Sequence, residues 1–446
     1  QRWWLTYFSK GNYPLIKSNS WLSRDHLFVV LFLLSVIKVF DGPFGKRFLG
    51  GIGWVLVVVL LAWQIWQKRT QFREIVSEKS ACLRAHRVEV VFGILLVGSV
   101  FISCLVNFDW KQQHWPLSVQ LMVSAIVTYS YVFLSYWLFR SRPGGRGYGL
   151  VLILMIVVHV IPLWQTWHYD STRLVLNYTL SMDMRYQYVL NVSSVLSILT
   201  IYGPFAAVCA IYFWGRVFMM QSHGWYRYGE SLVAVLATIG ALISGSRGGF
   251  LSLFSGLLAL FWYIPRGVKW WISGLLLVSI ITLHGFALWD PYTGRKVGQV
   301  LPYVNKIRQH EPIELKDFVP KITAHLSRKG GRWEHWKKAF ELWRGSPWFG
   351  IGLGQFNILS PFGWQHTVHN LYLNILCEGG IFVFISWIVL MYRYCKRWRS
   401  SYMMAVVVTI AVASCFENLF TSSFAWIVTC SWIFAHASQK QTCTAS

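Results

Sequence analysis

Charge is scarce in this chain. Asp, Glu, Lys and Arg make up 13% of the 446 residues and hydrophobic residues 55%, which excludes a soluble domain of this size, because its surface would need more charge. Acidic residues are the scarcest: 17 Asp and Glu stand against 41 Lys and Arg, a net charge of +24. There is no DxD pair, and a divalent ion needs several oxygen ligands, so metal-dependent chemistry is disfavoured and neither metal nor cofactor is expected. The eight cysteines, at positions 82, 104, 209, 377, 395, 415, 430 and 443, form no CxxC pair and no zinc spacing, and a disulfide framework is not expected. The first apolar run follows a polar segment and lacks a small-residue cleavage site, so no cleavable leader is expected.

What the chain has in abundance is apolar sequence punctuated by basic loops. About 20 apolar residues span a bilayer as a helix. About twelve candidate runs occur, near 26–40, 49–66, 88–107, 117–139, 149–165, 186–214, 230–244, 250–264, 271–288, 370–391, 403–416 and 424–437. The expected fold is therefore an all-α polytopic membrane protein. It divides into an N-terminal bundle of about nine helices (1–288), a long loop domain (289–369) and about three C-terminal helices (370–446). The basic residues fall mostly in short loops between the runs, which argues for a membrane and against nucleic acid. With the N-terminus in the cytoplasm, "QKRTQFREIVSEKSACLRAHR", "RSRPGGRGY", "PRGVKW" and "YRYCKRWRS" all fall on the cytoplasmic side, as the positive-inside rule requires. The loop 289–369 then lies outside, and a long loop is exempt from that rule. The 26 Trp fit rings anchored at the interfaces, with some left to line a lipid-facing groove.

Candidate chemistry gathers on the external side. In "ISGSRGGF", Arg247 sits between two apolar runs among glycines, where backbone can turn tightly and lie close to a ligand. Its planar fork matches phosphate oxygens; the plainer reading is a snorkelling arginine in a helix hairpin. Arg173, Arg185 and Arg332 share that side, each readable alone as a solvated loop charge or helix-end anchor. Four arginines on one rim point to an anionic, membrane-borne substrate. The lone acids Asp170, Asp183, Asp290 and Glu417 read better as partners for these arginines than as catalysts.

Inside the long loop, "GGRWEHWKKAFELWRGSPW" carries a stripe of Trp333, Trp336, Phe340 and Trp343 on a helix that Gly345 and Pro347 end. Such a helix either lies in the interface plane or packs on the bundle. The stretch "HTVHNLYLNILCEGG" sets His366, His369, Asn370 and Glu378 where the basic, Trp-rich loop gives way to an apolar run. An imidazole unprotonated at neutral pH can accept a proton from an attacking hydroxyl. A helix-end histidine can equally be a cap.

"SGSRGG", "GGRWEHWKKAFELWRGSPWFGIGLGQF" and "HTVHNLYLNILCEGG", in this order, resemble the conserved blocks of the bacterial O-antigen ligase and polymerase superfamily. The resemblance covers residues 244–380; the N-terminal half shares only helix count and external arginines. It implies a GT-C-like membrane glycosyltransferase at the periplasmic face of the bacterial inner membrane. The glycan donor is carried on undecaprenyl pyrophosphate, with no metal or nucleotide sugar. Carried over, His369 is the catalytic residue and Arg247 and Arg332 bind pyrophosphate, with Arg185 or Arg173 as a third; His366, Asn370 and Trp336 are supporting candidates. The absence of a large soluble C-terminal domain favours a ligase with lipid A-core as acceptor. A polymerase, a protein O-oligosaccharyltransferase and, in another class, a transporter of lipid-linked glycans remain alternatives. A transporter predicts midplane charges and inverted repeats, which the sequence does not display.

Overall fold

A computed structural model describes residues 24–36, 87–106, 139, 147–168, 199–219, 224–243, 246–277, 332–360, 368–398, 401–416 and 424–443. Among these residues the regular structure is helical, with no strand. The helices are α1 (Arg24–Val36), α2 (Arg87–Val106), α3 (Tyr148–His168), α4 (Leu199–Phe218), α5 (Trp225–Ile243), α6 (Arg247–Tyr263), α7 (Arg332–Gly345), the single turn α8 (Phe356–Leu359), α9 (Leu371–Trp398), α10 (Met403–Ser414) and α11 (Phe424–Cys443). The apolar runs expected near 149–165, 230–244, 250–264, 370–391, 403–416 and 424–437 each coincide with one of these helices. Those near 49–66 and 117–139 lie outside the described residues, apart from Phe139.

α9 is long and apolar enough to cross a bilayer over Leu371–Arg393, and Tyr148–Val160, Gly248–Tyr263, Met403–Ser414 and Val428–Ala437 are shorter apolar helices. α2 turns Ile94, Leu105 and Val106 outward at 67%, 61% and 65% exposure. Water would penalise such a face; lipid tails would not.

α4 is the centre of the bundle. From Tyr202 to Phe213 its residues are buried, and it packs against α5, α6 and α10. Close approach is written into small residues: a Cβ on Gly249 of α6 would stand 2.7 Å from the Gly203 backbone of α4. Around this core α3 packs on α5 and α1, α1 on α11, and α9 on α2, α7 and α10.

One end of the bundle holds a buried polar cluster. Arg216 of α4 pairs with Glu230 of α5 at 2.6 Å, and the Tyr148 hydroxyl of α3 donates to the same carboxylate. Tyr212 and His436 of α11 share a hydrogen bond. Beside them Arg24 meets Asp25 at 3.1 Å, and Trp432 Nε1 donates to Asp25. These contacts tie five helices together by bonds that an apolar surrounding makes costly to leave unmade.

Candidate active site

The corner "SGSRGG" is a helix start. Ser246 Oγ accepts from Gly249 N at 3.1 Å, satisfying one of the donors a helix leaves open at its first turn, so α6 begins at Arg247. The glycines here serve helix contact: Gly249 faces Gly203, and a Cβ on Gly248 would stand 3.0 Å from the Phe416 side chain. The sequence reading gave them to a ligand; packing of α4, α6 and the end of α10 accounts for both.

Arg332 opens α7, and the expected helix end at Gly345 is found. The face that packs overlaps the aromatic stripe read from sequence only in part. His335 and Ala339 are the buried residues of α7, while Trp333 and Phe340 are 50% and 39% exposed. Ala339 joins Ile351, Phe356, Val368 and Cys377 in a small core, with Trp336 and Leu342 against it. Trp336 Nε1 is buried there with no hydrogen-bond partner among the described residues. Arg332 and His335, three residues apart, lie on one side of α7.

His369 stands just ahead of α9 with φ 51°, a left-handed conformation unusual for a residue with a side chain. Asn370 caps the helix: its Oδ1 accepts from Leu373 N at 3.0 Å. The capping role is thus filled by the neighbour, and the His369 ring is directed elsewhere. It meets the His335 ring edge-on, centroids 5.9 Å apart at 74°, and His335 in turn leans on Phe356 at 6.4 Å.

Glu378, two turns into α9, fixes the surrounding backbone. Its carboxylate accepts from Phe356 N at 3.3 Å and from Asn374 Nδ2 at 3.1 Å. α9 kinks here at Gly380, φ 74°. The groups that the kink frees find new partners: Cys377 O accepts from Ile351 N, Glu378 O from Gly352 N and Ser103 Oγ, and Ile381 N donates to Pro347 O. A broken helix in an apolar setting requires such replacement. Gly350, φ 67°, is needed because a Cβ there would stand 2.5 Å from the Glu378 backbone. The loop after α7 is thereby stitched to the kink of α9.

His335 and His369 are thus brought together; Arg332 lies one turn before His335, Trp336 packs on the small core that includes Val368, and Asn370 follows His369 in the chain. Arg247 lies at the same end of the bundle: Tyr372 of α9 donates to Ala411 O of α10 at 2.9 Å, and Phe416, just beyond α10, covers Gly248. Arg173, Arg185 and His366 lie outside the described residues. Among the described residues no three His, Cys, Asp or Glu side chains are placed to share a metal ion. Sequence reasoning missed His335 and the bracing role of Glu378. The signal for His335 was its position three residues after Arg332 in "RWEHW".

Residues 232–388 match the family model described as O-antigen ligase, consistent with the O-antigen ligase and polymerase superfamily. That family consists of membrane-embedded bacterial enzymes of glycosyltransferase type, and the match indicates ligase- or polymerase-type activity with a lipid-linked glycan donor and a lipid acceptor. No curated protein matches the chain. The matched segment contains Arg247, Arg332, His335, His369 and Glu378.

Proposed function

We propose that this protein is an O-antigen ligase: a multi-pass enzyme of the inner membrane that transfers glycan from undecaprenyl pyrophosphate to a sugar of lipid A-core at the periplasmic face. The observation that carries the reading is the meeting of α7 and the head of α9, which sets two imidazoles against each other inside the matched segment, with Arg332 one turn before His335 in sequence. Loop charge along the sequence supports the orientation, with the long loop and His369 outside.

In this reaction the acceptor hydroxyl attacks the anomeric carbon from the face opposite the carrier. The new glycosidic bond forms as the bond to the pyrophosphate oxygen breaks, the electron pair leaves with the pyrophosphate, and the anomeric configuration inverts. His369 takes the hydroxyl proton, because the alcohol is a poor nucleophile until that proton is moving away. Arg247 and Arg332, with Arg173 or Arg185, neutralise the departing pyrophosphate; fixed cations in a poorly hydrated site are effective in that role without a metal. Asn370 holds the first turn of α9 in place behind His369.

The test is to incubate the purified chain with an undecaprenyl-pyrophosphate glycan, in excess EDTA, and with three acceptors: lipid A-core, a second lipid-linked glycan and a peptide. Extension of lipid A-core is expected. Extension of the second lipid-linked glycan alone makes the chain a polymerase, and extension of the peptide alone makes it a protein glycosyltransferase. A strict need for added magnesium or manganese overturns the account of the leaving group.

A further inference from the structure

We infer that His335 is a positioning residue for His369, acting through contact of the two rings; the inference rests on the proposed role of His369 as base. His335 is 1% exposed and belongs to the only face of α7 that is buried. It is confined on one side by Phe356 and meets the His369 ring edge-on at 5.9 Å on the other. Phe356 is itself fixed, since its N–H donates to the Glu378 carboxylate and its ring is fully buried. A continuous chain of contacts therefore runs from the kink of α9 through Glu378, Phe356 and His335 to His369.

His369 needs such support. Its backbone sits in a conformation that costs a non-glycine residue on the order of 1–3 kcal/mol and persists only where the surroundings impose it. Its χ angles decide where the accepting nitrogen points, and an aromatic wall at a large interplanar angle restricts the ring in a way that an aliphatic neighbour does not. His335 itself gains and loses no proton in this scheme.

The experiment replaces His335 in the full-length chain with Phe, which keeps an aromatic wall, and with Leu and Met, which fill the space without one. Folded fraction, donor KM and kcat are measured for each, with His369→Ala alongside. His335→Leu and His335→Met are expected to keep donor KM within about twofold and to lose kcat by about 10- to 100-fold, the scale of a misplaced reacting group. His335→Phe is expected to recover most of kcat. Folded Leu or Met variants with parental kcat would overturn the inference, as would a Phe variant no better than Leu. If His335→Leu behaves as expected but His369→Ala retains transfer, it is the assignment of His369 as base that fails.

Discussion

Around Arg216 each buried cation meets a carboxylate: Arg216 reaches Glu230 at 2.6 Å and Arg24 reaches Asp25 at 3.1 Å. At the head of α9 the buried carboxylate described, Glu378, is occupied by a backbone N–H and the Asn374 amide, and two imidazoles face each other instead. Both places are apolar surroundings in which a charge without a partner is expensive. The first answers with ion pairs, which fix helices. The second sets two imidazoles against each other, and the imidazole is the side chain on which the proposed acid–base chemistry rests. The polar cluster of α1, α3, α4, α5 and α11 is on this view a clasp, and the cluster of α7 and α9 the proposed workplace.

The comparison breaks most visibly if the clasp proves dispensable. Arg216→Met leaves Glu230 charged and buried, an arrangement expected to cost about 3–5 kcal/mol. The expected outcome is a large fall in unfolding temperature in detergent, with transfer per folded molecule unchanged; an unaltered melting curve would show that the pair holds nothing. The reverse pattern is expected of His369→Ala. Its melting curve should match the parent and donor binding should persist, while transfer drops by about 10² to 10⁴, the usual contribution of a general base. Substantial remaining transfer would move the base to another residue, His366 being next in line.

Arg247 lies between these extremes in size. Arg247→Ala is expected to weaken both donor binding and turnover, by roughly 1.5 to 3 kcal/mol for a lost hydrogen bond to a charged group. Arg247→Lys should restore only part, since an ammonium lacks the bidentate fork. Full activity in the alanine variant would leave Arg247 as a helix-start residue and nothing more. The smallest expected effect is that of the cap. Asn370→Ala should lower stability by about 1 kcal/mol and Asn370→Asp should regain most of it, because either side chain can accept from Leu373 N. Equal stability of all three proteins would mean the head of α9 is held by its contacts with α7 alone.

Much of the helical framework was legible in the sequence, because apolar runs long enough to be helices announce themselves by composition; α5, α6, α9 and α10 fall where such runs were read. The kink in α9 was not read, although "CEGG" stood in view: glycines inside an apolar run are compatible with a straight helix. What bends this one is the loop from Pro347 to Gly352, which supplies partners for the backbone groups that bending frees. The stripe of Trp333, Trp336, Phe340 and Trp343 was visible as a pattern that left open whether it meets lipid or protein; Trp336 packs on the small core, while Trp333 and Phe340 are exposed. Hydrophobicity tells how much a residue gains by leaving water, and on a helix that can rest against lipid it does not tell which side meets protein.

The sequence by itself determined that this is an apolar, basic helical chain, and that "SGSRGG", "GGRWEHW" and "HTVHN" carry arginines and histidines at helix starts. Those are properties of composition and of local hydrogen bonding, which act over a few residues. Tertiary structure alone decided that Gly248 and Gly249 serve helix contact, that Asn370 rather than His369 caps α9, and that His335, thirty-four positions before His369, is the ring that meets it. Each of these depends on which surfaces come within a few ångströms of each other after the chain has folded. No local preference in the sequence encodes that distance.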